Sequence, residues 1–465
     1  MKSFEKFFNT SIMRMKRENQ QIFLFTFLIG LVNTFYYIIY PISYSKKLSI
    51  QGPFLVLIET LHGGWNHPIL LLLSFFFLAI SIIILKDTFL IKKKFSIFLL
   101  TALITLFPVF HENSLFLSSY LGIVISFLLS TYSLLCLEKK KTILSIILMC
   151  TAFCLYPFSI TIPLSGIFLL SIQDLFHNEY YFKKIIYYIL TIVMGIIISQ
   201  IVFQILSIIA AKNYSVHLHS FFSIFQNGFA FFFQNSILQN HSVYRDIIHL
   251  FLFVGLGIFL IKNSFYMKGD YKFHYITSLV LFFISISFST IFSTQLDTCI
   301  GFIMIYILFF MIIEFQNTLP IFKTFIILGI LILSYTYLIS NQATYMVHKD
   351  QDVTMYAKLD HVLQKAKALE GYQENLAYFF SDPFYYDSSL NQMSNRDYSM
   401  ELYDTHYYKE YFKDFFGEDI SIASSSLTKE ILASNDYKMM NPGDVQIIHN
   451  VIVFKISNSC YYKKY

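Results

Sequence analysis

The sequence predicts an α-helical polytopic membrane protein of about eleven transmembrane helices with a small C-terminal extracytoplasmic α/β domain. Three observations predict it. Only ten acidic residues occur between Ile22 and Ile339, and none falls inside a hydrophobic run. Lysine clusters punctuate those runs: Lys92-Lys93-Lys94, Lys139-Lys140-Lys141 and Lys183-Lys184. The chain of 465 residues is 56% hydrophobic and 14% charged, with 53 Phe and 34 Tyr, whereas soluble domains are about a quarter charged. A net charge of +5 raises nucleic-acid binding, but most lysines flank apolar runs, where they set topology. No nucleic acid is expected as a partner.

The runs cover residues 22–42, 68–85, 95–110, 115–137, 143–172, 185–209, 247–261, 273–292, 299–313 and 324–339. The basic N-terminal segment, 1–21, carries Lys2, Lys6, Arg14, Lys16 and Arg17 and is assigned to the cytoplasm. The run from Ile22 is too long for a cleavable signal and is read as the first crossing. In the fifth run Pro157 stands at the middle, with Pro163 beyond. Proline removes a helix hydrogen bond and clashes with the preceding turn, so this run is either one kinked helix or a hairpin. Loop charges decide between them. A hairpin puts thirteen of the seventeen Lys and Arg from Lys46 to Lys323 on the cytoplasmic side, whereas one kinked span splits them nine against eight. The positive-inside rule selects the hairpin, hence eleven crossings with the C-terminus outside. Its two crossings, of about 15 residues each, are short for lipid contact and are expected inside the bundle.

The membrane domain is assigned to 22–339 and the soluble domain to 340–465. Within the latter, Met355 to Glu370 reads as a helix with Ala357, Leu359, Val362, Leu363 and Ala366 on one face and Gly371 as its stop. Strand-like runs follow at Asn375–Phe380, Ile420–Ala423 and Val445–Ile456, with turn signals at Pro383 and Asn441-Pro442-Gly443.

Chemistry then concentrates in the outer loops. The first runs from Ser43 to His67 and contains Glu59, His62, Trp65 and His67. The second is the tight turn His111-Glu112-Asn113-Ser114 after Phe107-Pro108. The third, Ala210 to Asp246, ends in Arg245-Asp246, and a fourth adds Asp297. Ser49–Leu61 and Phe221–Phe233 read as amphipathic helices resting at the membrane surface. Carboxylates, an Arg and aromatics there suit a substrate that is half lipid and half sugar phosphate. Arg245 would grip the phosphate as a two-pronged fork. A carboxylate would take the proton of an attacking hydroxyl, and Trp65 would stack on a sugar ring. Each has a plainer reading. Trp65 serves as an interfacial anchor, Glu112 caps the helix starting near Leu115, Glu59 is a solvated loop charge, and Arg245 with Asp246 is a surface pair. The histidines lack metal-ligand spacing, and the five cysteines lack it too.

The stretch from Gly63 to Leu175 resembles the bacterial type II membrane glucosyltransferases, GT-C-like enzymes that modify O-antigen and cell-wall glycans. The family's Gly-Arg-Trp is echoed by Gly63-Gly64-Trp65, with Gly64 in place of the arginine, and its Phe-Pro by Phe107-Pro108 before the run Phe116–Leu137 and its Glu138-Lys139-Lys140-Lys141 end. Its Tyr-Gln hairpin is echoed by Tyr156-Pro157, with Pro157 in place of the glutamine, followed by Leu170–Leu175. Its closing Met-x-x-Pro-x-x-Gly and strand resemble Met439-Met440-Asn441-Pro442-Gly443-Asp444 and Val451–Lys455. The family's paired aspartates of the first outer loop are absent from Tyr40-Pro41-Ile42-Ser43-Tyr44-Ser45-Lys46-Lys47, so no aspartate base carries over.

The resemblance implies a glycosyltransferase of the bacterial plasma membrane. It would move one sugar, glucose by family, from a polyprenyl-phosphate carrier to a surface glycan on the outer side. Glu112 first and Glu59 second are the catalytic candidates; Arg245, Asp246, Trp65, His111 and Tyr156 are the substrate-binding ones. A monophosphate donor demands no metal ion, and no cofactor is expected. The rival readings are a transporter or flippase of lipid-linked glycan, a catalytically lapsed scaffold of glycan assembly, and a glycan polymerase. A transporter would place ionisable groups near the bilayer midplane and show internal repeats; the sequence offers neither.

Overall fold

In this computed structural model residues 16–39, 67–107, 109–110, 117–176, 182–209, 243–267, 269–286, 300–314, 320–374, 376–380, 412 and 416–455 are described. The chain divides into two compact units, Met1–Gln342 and Ala343–Tyr465.

Among the described residues the first unit is built from eleven helices. They are α1 (Arg17–Ile39), α2 (His67–Thr88), α3 (Lys94–Thr105), α4 (Leu117–Glu138), α5 (Thr142–Leu155), α6 (Thr161–Phe176), α7 (Phe182–Ile209), α8 (Val243–Tyr266), α9 (Asp270–Ile286), α10 (Ile303–Glu314) and α11 (Pro320–Lys367), the last running on into the second unit.

Side-chain contacts fix their directions. Lys86 Nζ donates to Asn19 Oδ1 (3.0 Å) while Phe27 and Phe75 meet about two to three turns deeper in the pair, so α1 and α2 are antiparallel. Lys93 Nζ donates to the Ile313 carbonyl (2.7 Å) and Phe107 meets Tyr306, which makes α3 antiparallel to α10. Ser126 bonds the Ala152 carbonyl (2.8 Å) and Ser145 that of Ser133 (2.9 Å), an antiparallel register for α4 and α5. Ser171 meets Ser278 (2.8 Å) and Phe176 meets Tyr275, so α6 opposes α9. Phe259 stacks on Phe322 (5.3 Å) and Gly329 faces Leu252, so α8 opposes α11. Gly301, at the entry to α10, lies beside Thr161 at the start of α6. Taken together, successive helices alternate in direction.

The reversal at Pro157 is explicit. Tyr156 is extended (φ −148°, ψ 102°) and Pro157–Ile160 form a 3-10 turn between α5 and α6. α5 lies parallel to α7 through Thr142–Tyr187 and Phe153–Phe203. The far end of α6 returns to the start of α7, where Lys184 pairs with Asp174 (2.8 Å) and both act on Glu138 at the end of α4. The chain therefore doubles back at Pro157 rather than kinking. The burial of the two halves differs from expectation. α6 is buried nearly all round, but α5 turns Ile143, Leu144 and Ile147 outward, because α4 and α7 cover only two of its sides.

Every described Lys and Arg of this unit except Arg245 sits at one end of the bundle, here the lysine end. Among the described residues, five helices are long and apolar enough to cross a membrane: Ile69–Thr88, Tyr120–Glu138, Pro157–Phe176, Lys183–Ile205 and Pro320–Ala343. Outward faces are themselves apolar. On α7 they carry Ile186, Leu190, Val193, Met194, Ile197, Ile201 and Ile205, and on α8 Phe251, Val254, Ile258, Ile261 and Phe265. Leaving the α7 stripe alone in water would forgo on the order of 10 kcal/mol of burial, as much as a whole domain's net stability. These faces belong against lipid. The interior is held by close approaches instead, such as Gly30 against the Phe75 ring, and by Ser and Thr hydroxyls returned to their own helix, as from Thr101 to Ile97 and Ser199 to Gly195.

The second unit is a three-layer α/β structure. Its sheet has strand order β2-β1-β4-β3, with β1 (Ala377–Phe380) parallel to β2 (Ser421–Ile422) and to β4 (Val451–Phe454), and β3 (Val445–Ile448) antiparallel to β4. One face packs Phe379, Val451 and Val453 on Ile431 of α12 (Ser425–Ala433) and Tyr437 of α13 (Asn435–Met439). Across the other face run Tyr378, Phe380, Phe412 and Phe416, the last stacked on Tyr356 of α11 (5.1 Å). Cover on both faces is why β4 is buried at all four residues, as parallel strands require.

Three expectations are corrected here. The run at 324–339 and the helix at 355–370 are one helix, α11, which has no proline after Pro320 and one glycine, Gly329, so nothing in it stops propagation. Of its predicted inner face Leu359, Val362, Leu363 and Ala366 are buried, but Ala357 is exposed. The single run 445–456 is a hairpin that turns at His449-Asn450, both with positive φ (52° and 58°), the geometry of a two-residue type I′ turn. α12 and α13 were unforeseen, although Ser424 and Ser434 cap them by accepting from the Leu427 and Tyr437 amides.

Lys455 holds this unit together from inside. It is buried, its Nζ donates to the Met440 (2.7 Å) and Tyr437 (3.3 Å) carbonyls, and it lies over the Tyr437 ring. Replacing Lys455 with Met strands two carbonyls. We expect a loss of about 2 kcal/mol, read in the full-length protein as roughly 30-fold faster hydrogen exchange of the Val451–Phe454 amides.

Candidate functional site

Helix lengths make one end of the bundle unlike the other. α1, α2, α4, α7 and α8 have 23, 22, 22, 28 and 24 residues. α3, α5, α6, α9 and α10 have 12, 14, 16, 17 and 12. At 1.5 Å per residue the second group spans only about 18 to 26 Å, against about 33 Å or more for the first. The short helices share the lysine end with the long ones: Lys93 reaches Ile313, and Lys184 reaches Asp174. α3, α5 and α6, whose far ends are described, therefore stop short there. The α4–α5 register sets Leu155 level with Ile123, so α4 continues by about six residues, roughly 9 Å.

The tips of the short helices meet. Gly301 touches Thr161, and a side chain there would also approach the Ile286 carbonyl at the end of α9 (3.3 Å). Phe107, just past α3, sits edge-on to Tyr306 and Tyr337, whose hydroxyls bond each other (2.7 Å). Asn341 of α11 donates to the Leu106 carbonyl (3.0 Å) and to Asn33 Oδ1 of α1 (3.1 Å). Hydrogen-bonding capacity is left over at these tips: Thr105 Oγ1, Ser159 Oγ and Gln342 Oε1 are buried with no protein partner. In a low-dielectric bundle such groups carry a desolvation penalty, and they mark a polar floor. Among its described residues the floor has no carboxylate and no cation.

Tyr156 belongs to this floor. It is 1% exposed, its ring stands edge-on to Phe158 (5.3 Å), and its carbonyl accepts from the Ser159 amide. Arg245 and Asp246 occupy the first turn of α8, whose start lies at the same end because α8 opposes α11. Glu112, Glu59, Trp65 and His111 fall outside the described residues, as do Gly63, Gly64, Pro108 and Asp297. The described residues flanking them, Ile39 and His67, Phe110 and Leu117, Ile286 and Ile300, all stand at the far end. Among the described residues no group of three His, Cys, Asp or Glu is placed to hold a metal ion.

Sequence reasoning passed over Asn33, Asn341, Tyr306 and Tyr337. For Asn33, Tyr306 and Tyr337 the signal was present as uncharged polar residues inside apolar runs, which in a membrane bundle report interhelical bonds; Asn341 lies just past one. Compared with known proteins, the chain matches no family model, no curated protein and no solved structure.

Proposed function

We propose that this chain is an inverting membrane glycosyltransferase that moves a sugar from a polyprenyl-phosphate carrier to a surface glycan on the outer side of the bacterial plasma membrane. The observation that carries the reading is the one-sided floor. Among the described helix ends, those of α3, α5 and α6 opposite the lysines fall short of the longer α4. With lysines cytoplasmic, the helices make eleven crossings and the second unit lies outside. A lipid phosphate can then approach from the outer leaflet and meet polar groups below the membrane surface.

The chemistry assigned to each residue follows. Arg245 holds the carrier phosphate, helped by the positive end of α8, in whose first turn it stands. Glu112, or Glu59 in its place, takes the proton from the acceptor hydroxyl as that oxygen attacks the anomeric carbon and the phosphate leaves. Trp65, His111, Tyr156 and Asp246 line the sugar. A transporter is disfavoured because the described Asp, Glu, Lys and Arg of this unit cluster at its two ends rather than at the midplane.

The test supplies the purified full-length protein with labelled polyprenyl-phosphate glucose and an acceptor glycan, and follows released polyprenyl phosphate. Release supports the transferase; absence of release with every sugar donor rejects it. Arg245→Ala should weaken binding of unglycosylated polyprenyl phosphate by about 10- to 100-fold, the worth of a charge-assisted pair. Unchanged binding would remove Arg245 from the phosphate site.

A further inference from the structure

We propose that the corner formed by the α4–α5 turn and the start of α7 binds an anionic phospholipid, its headgroup on the lysines and its acyl chains along α5 and α7. Glu138-Lys139-Lys140-Lys141 make the turn: the Lys141 amide reaches back to the Cys136 carbonyl (2.8 Å), and Lys140 takes a positive φ (58°). So tight a reversal holds three lysines together, and all three are exposed. The next residue, Thr142, is hydrogen-bonded to Tyr187 of α7 through their hydroxyls. Lys183 stands one helical turn before Tyr187 on the same face, which brings a fourth exposed lysine to the corner. Lys184 is engaged elsewhere, by Asp174 (2.8 Å) and the Tyr188 ring. Lys139, Lys140, Lys141 and Lys183 make no ion pair with a described residue, although Glu138 lies within electrostatic range of Lys139. With the Lys184–Asp174 pair cancelling, four lysines and one glutamate leave three net positive charges here.

What lies next to the lysines selects the partner. On α7 the stripe headed by Lys183 continues through Ile186, Leu190, Val193, Met194 and Ile197, all turned outward at helical spacing. On α5 the turn is followed by Ile143 (76% exposed), Leu144 and Ile147, outward as well. α5 and α7 run parallel, so two apolar stripes lie side by side beneath one set of lysines. A soluble polyanion would use the charge alone. A lipid with a negative head and apolar chains uses both, and the leaflet on the lysine side presents it at this level. Other lysines at that end are committed, Lys86 to Asn19 and Asp87 and Lys93 to the Ile313 carbonyl. Setting topology requires lysines near the ends of spans, but not their convergence from two separate turns.

The experiment titrates full-length protein in neutral detergent micelles with phosphatidylglycerol, or with phosphatidylcholine of the same acyl chains, and counts bound lipid by native mass spectrometry. Micelles impose no orientation, so a loss of binding cannot come from a change of sidedness. Each lysine beside the membrane is worth about fivefold toward an anionic headgroup, so phosphatidylglycerol should bind about 100-fold more tightly than phosphatidylcholine. The double variant Lys140→Gln/Lys183→Gln should lose about 25-fold in phosphatidylglycerol affinity. Lys92→Gln/Lys94→Gln, which removes the same charge at the α2–α3 turn, should lose less than about threefold. Equal losses in the two variants, or no preference for phosphatidylglycerol in the wild type, overturn the proposal. Glycerophosphoglycerol and inorganic phosphate, added in large excess, should leave the lipid bound. Displacement by either would reduce the corner to a plain anion site and overturn the lipid assignment. Should the Lys140→Gln/Lys183→Gln protein fail to accumulate, Lys183→Gln alone carries the test: a loss of about fivefold is expected, and wild-type affinity overturns the proposal.

Discussion

Glu112→Gln is expected to lower release of polyprenyl phosphate by about 10³-fold while leaving the protein folded and able to bind its carrier. The amide keeps the shape of the carboxylate but cannot accept a proton from the acceptor hydroxyl. Because the change removes chemistry and not affinity, kcat should fall and donor KM should stay near wild type. Glu59→Gln made in parallel ranks the two acids. A fall confined to Glu59→Gln moves the base to the first outer segment, and release that survives both substitutions removes the assignment. The family's aspartate pair is missing from Tyr40 to Lys47, so this comparison also decides whether another acid has taken over its task.

Ile307→Lys should prevent the protein from accumulating. α10 is buried at every residue from Ile303 to Ile313, and position 307 lies about one turn from its start and about two from its end. A lysine there cannot extend to an aqueous surface and finds no described carboxylate partner. Insertion alone is unfavourable by about 3 kcal/mol at a helix centre, and an unpaired buried cation adds several more. Graded controls separate packing from hydrophobicity. Ile307→Ala should destabilise by about 2 to 5 kcal/mol through the cavity it leaves. Ile258→Ala, on the outward face of α8, should have little effect because lipid fills the space. Equal effects at both positions would contradict the central placement of α10. Fluorescence-detected gel filtration of tagged variants, followed by melting of those that express, gives the comparison.

Much of the membrane unit was legible from the residue string because its signals are local. Apolar runs gave the helices, and lysines gave the ends. Counting Lys and Arg across Pro157 selected the hairpin, and the Lys184–Asp174 pair with the α5–α7 contacts gives that reversal a structural basis. Illegible features were those that depend on pairing distant residues. No pattern in one sequence joins Asn33 to Asn341, or sets Phe107 between Tyr306 and Tyr337. The continuity of α11 was missed for another reason. Its stretch from Ser340 to Thr354 loses apolar character without losing helix-compatible residues, so hydropathy marked a boundary that the backbone does not observe. In the second unit the His449-Asn450 turn escaped notice because His seldom adopts positive φ, and the usual Asn-Gly signal is absent. As for the site, Tyr156 and Arg245-Asp246 stand at the end opposite the lysines, while the two candidate acids lie outside the described residues.

Sidedness is what every assignment depends on, and it can be measured in intact cells. With the native cysteines replaced, single cysteines at Lys140, in the lysine-end turn between α4 and α5, and at Ser220, in the segment between α7 and α8, are exposed to a membrane-impermeant maleimide. We predict that Ser220→Cys is labelled from outside and that Lys140→Cys is labelled only after lysis. Labelling of Lys140→Cys in intact cells, with Ser220→Cys protected until lysis, would turn the acid-bearing end toward the cytoplasm and contradict the account.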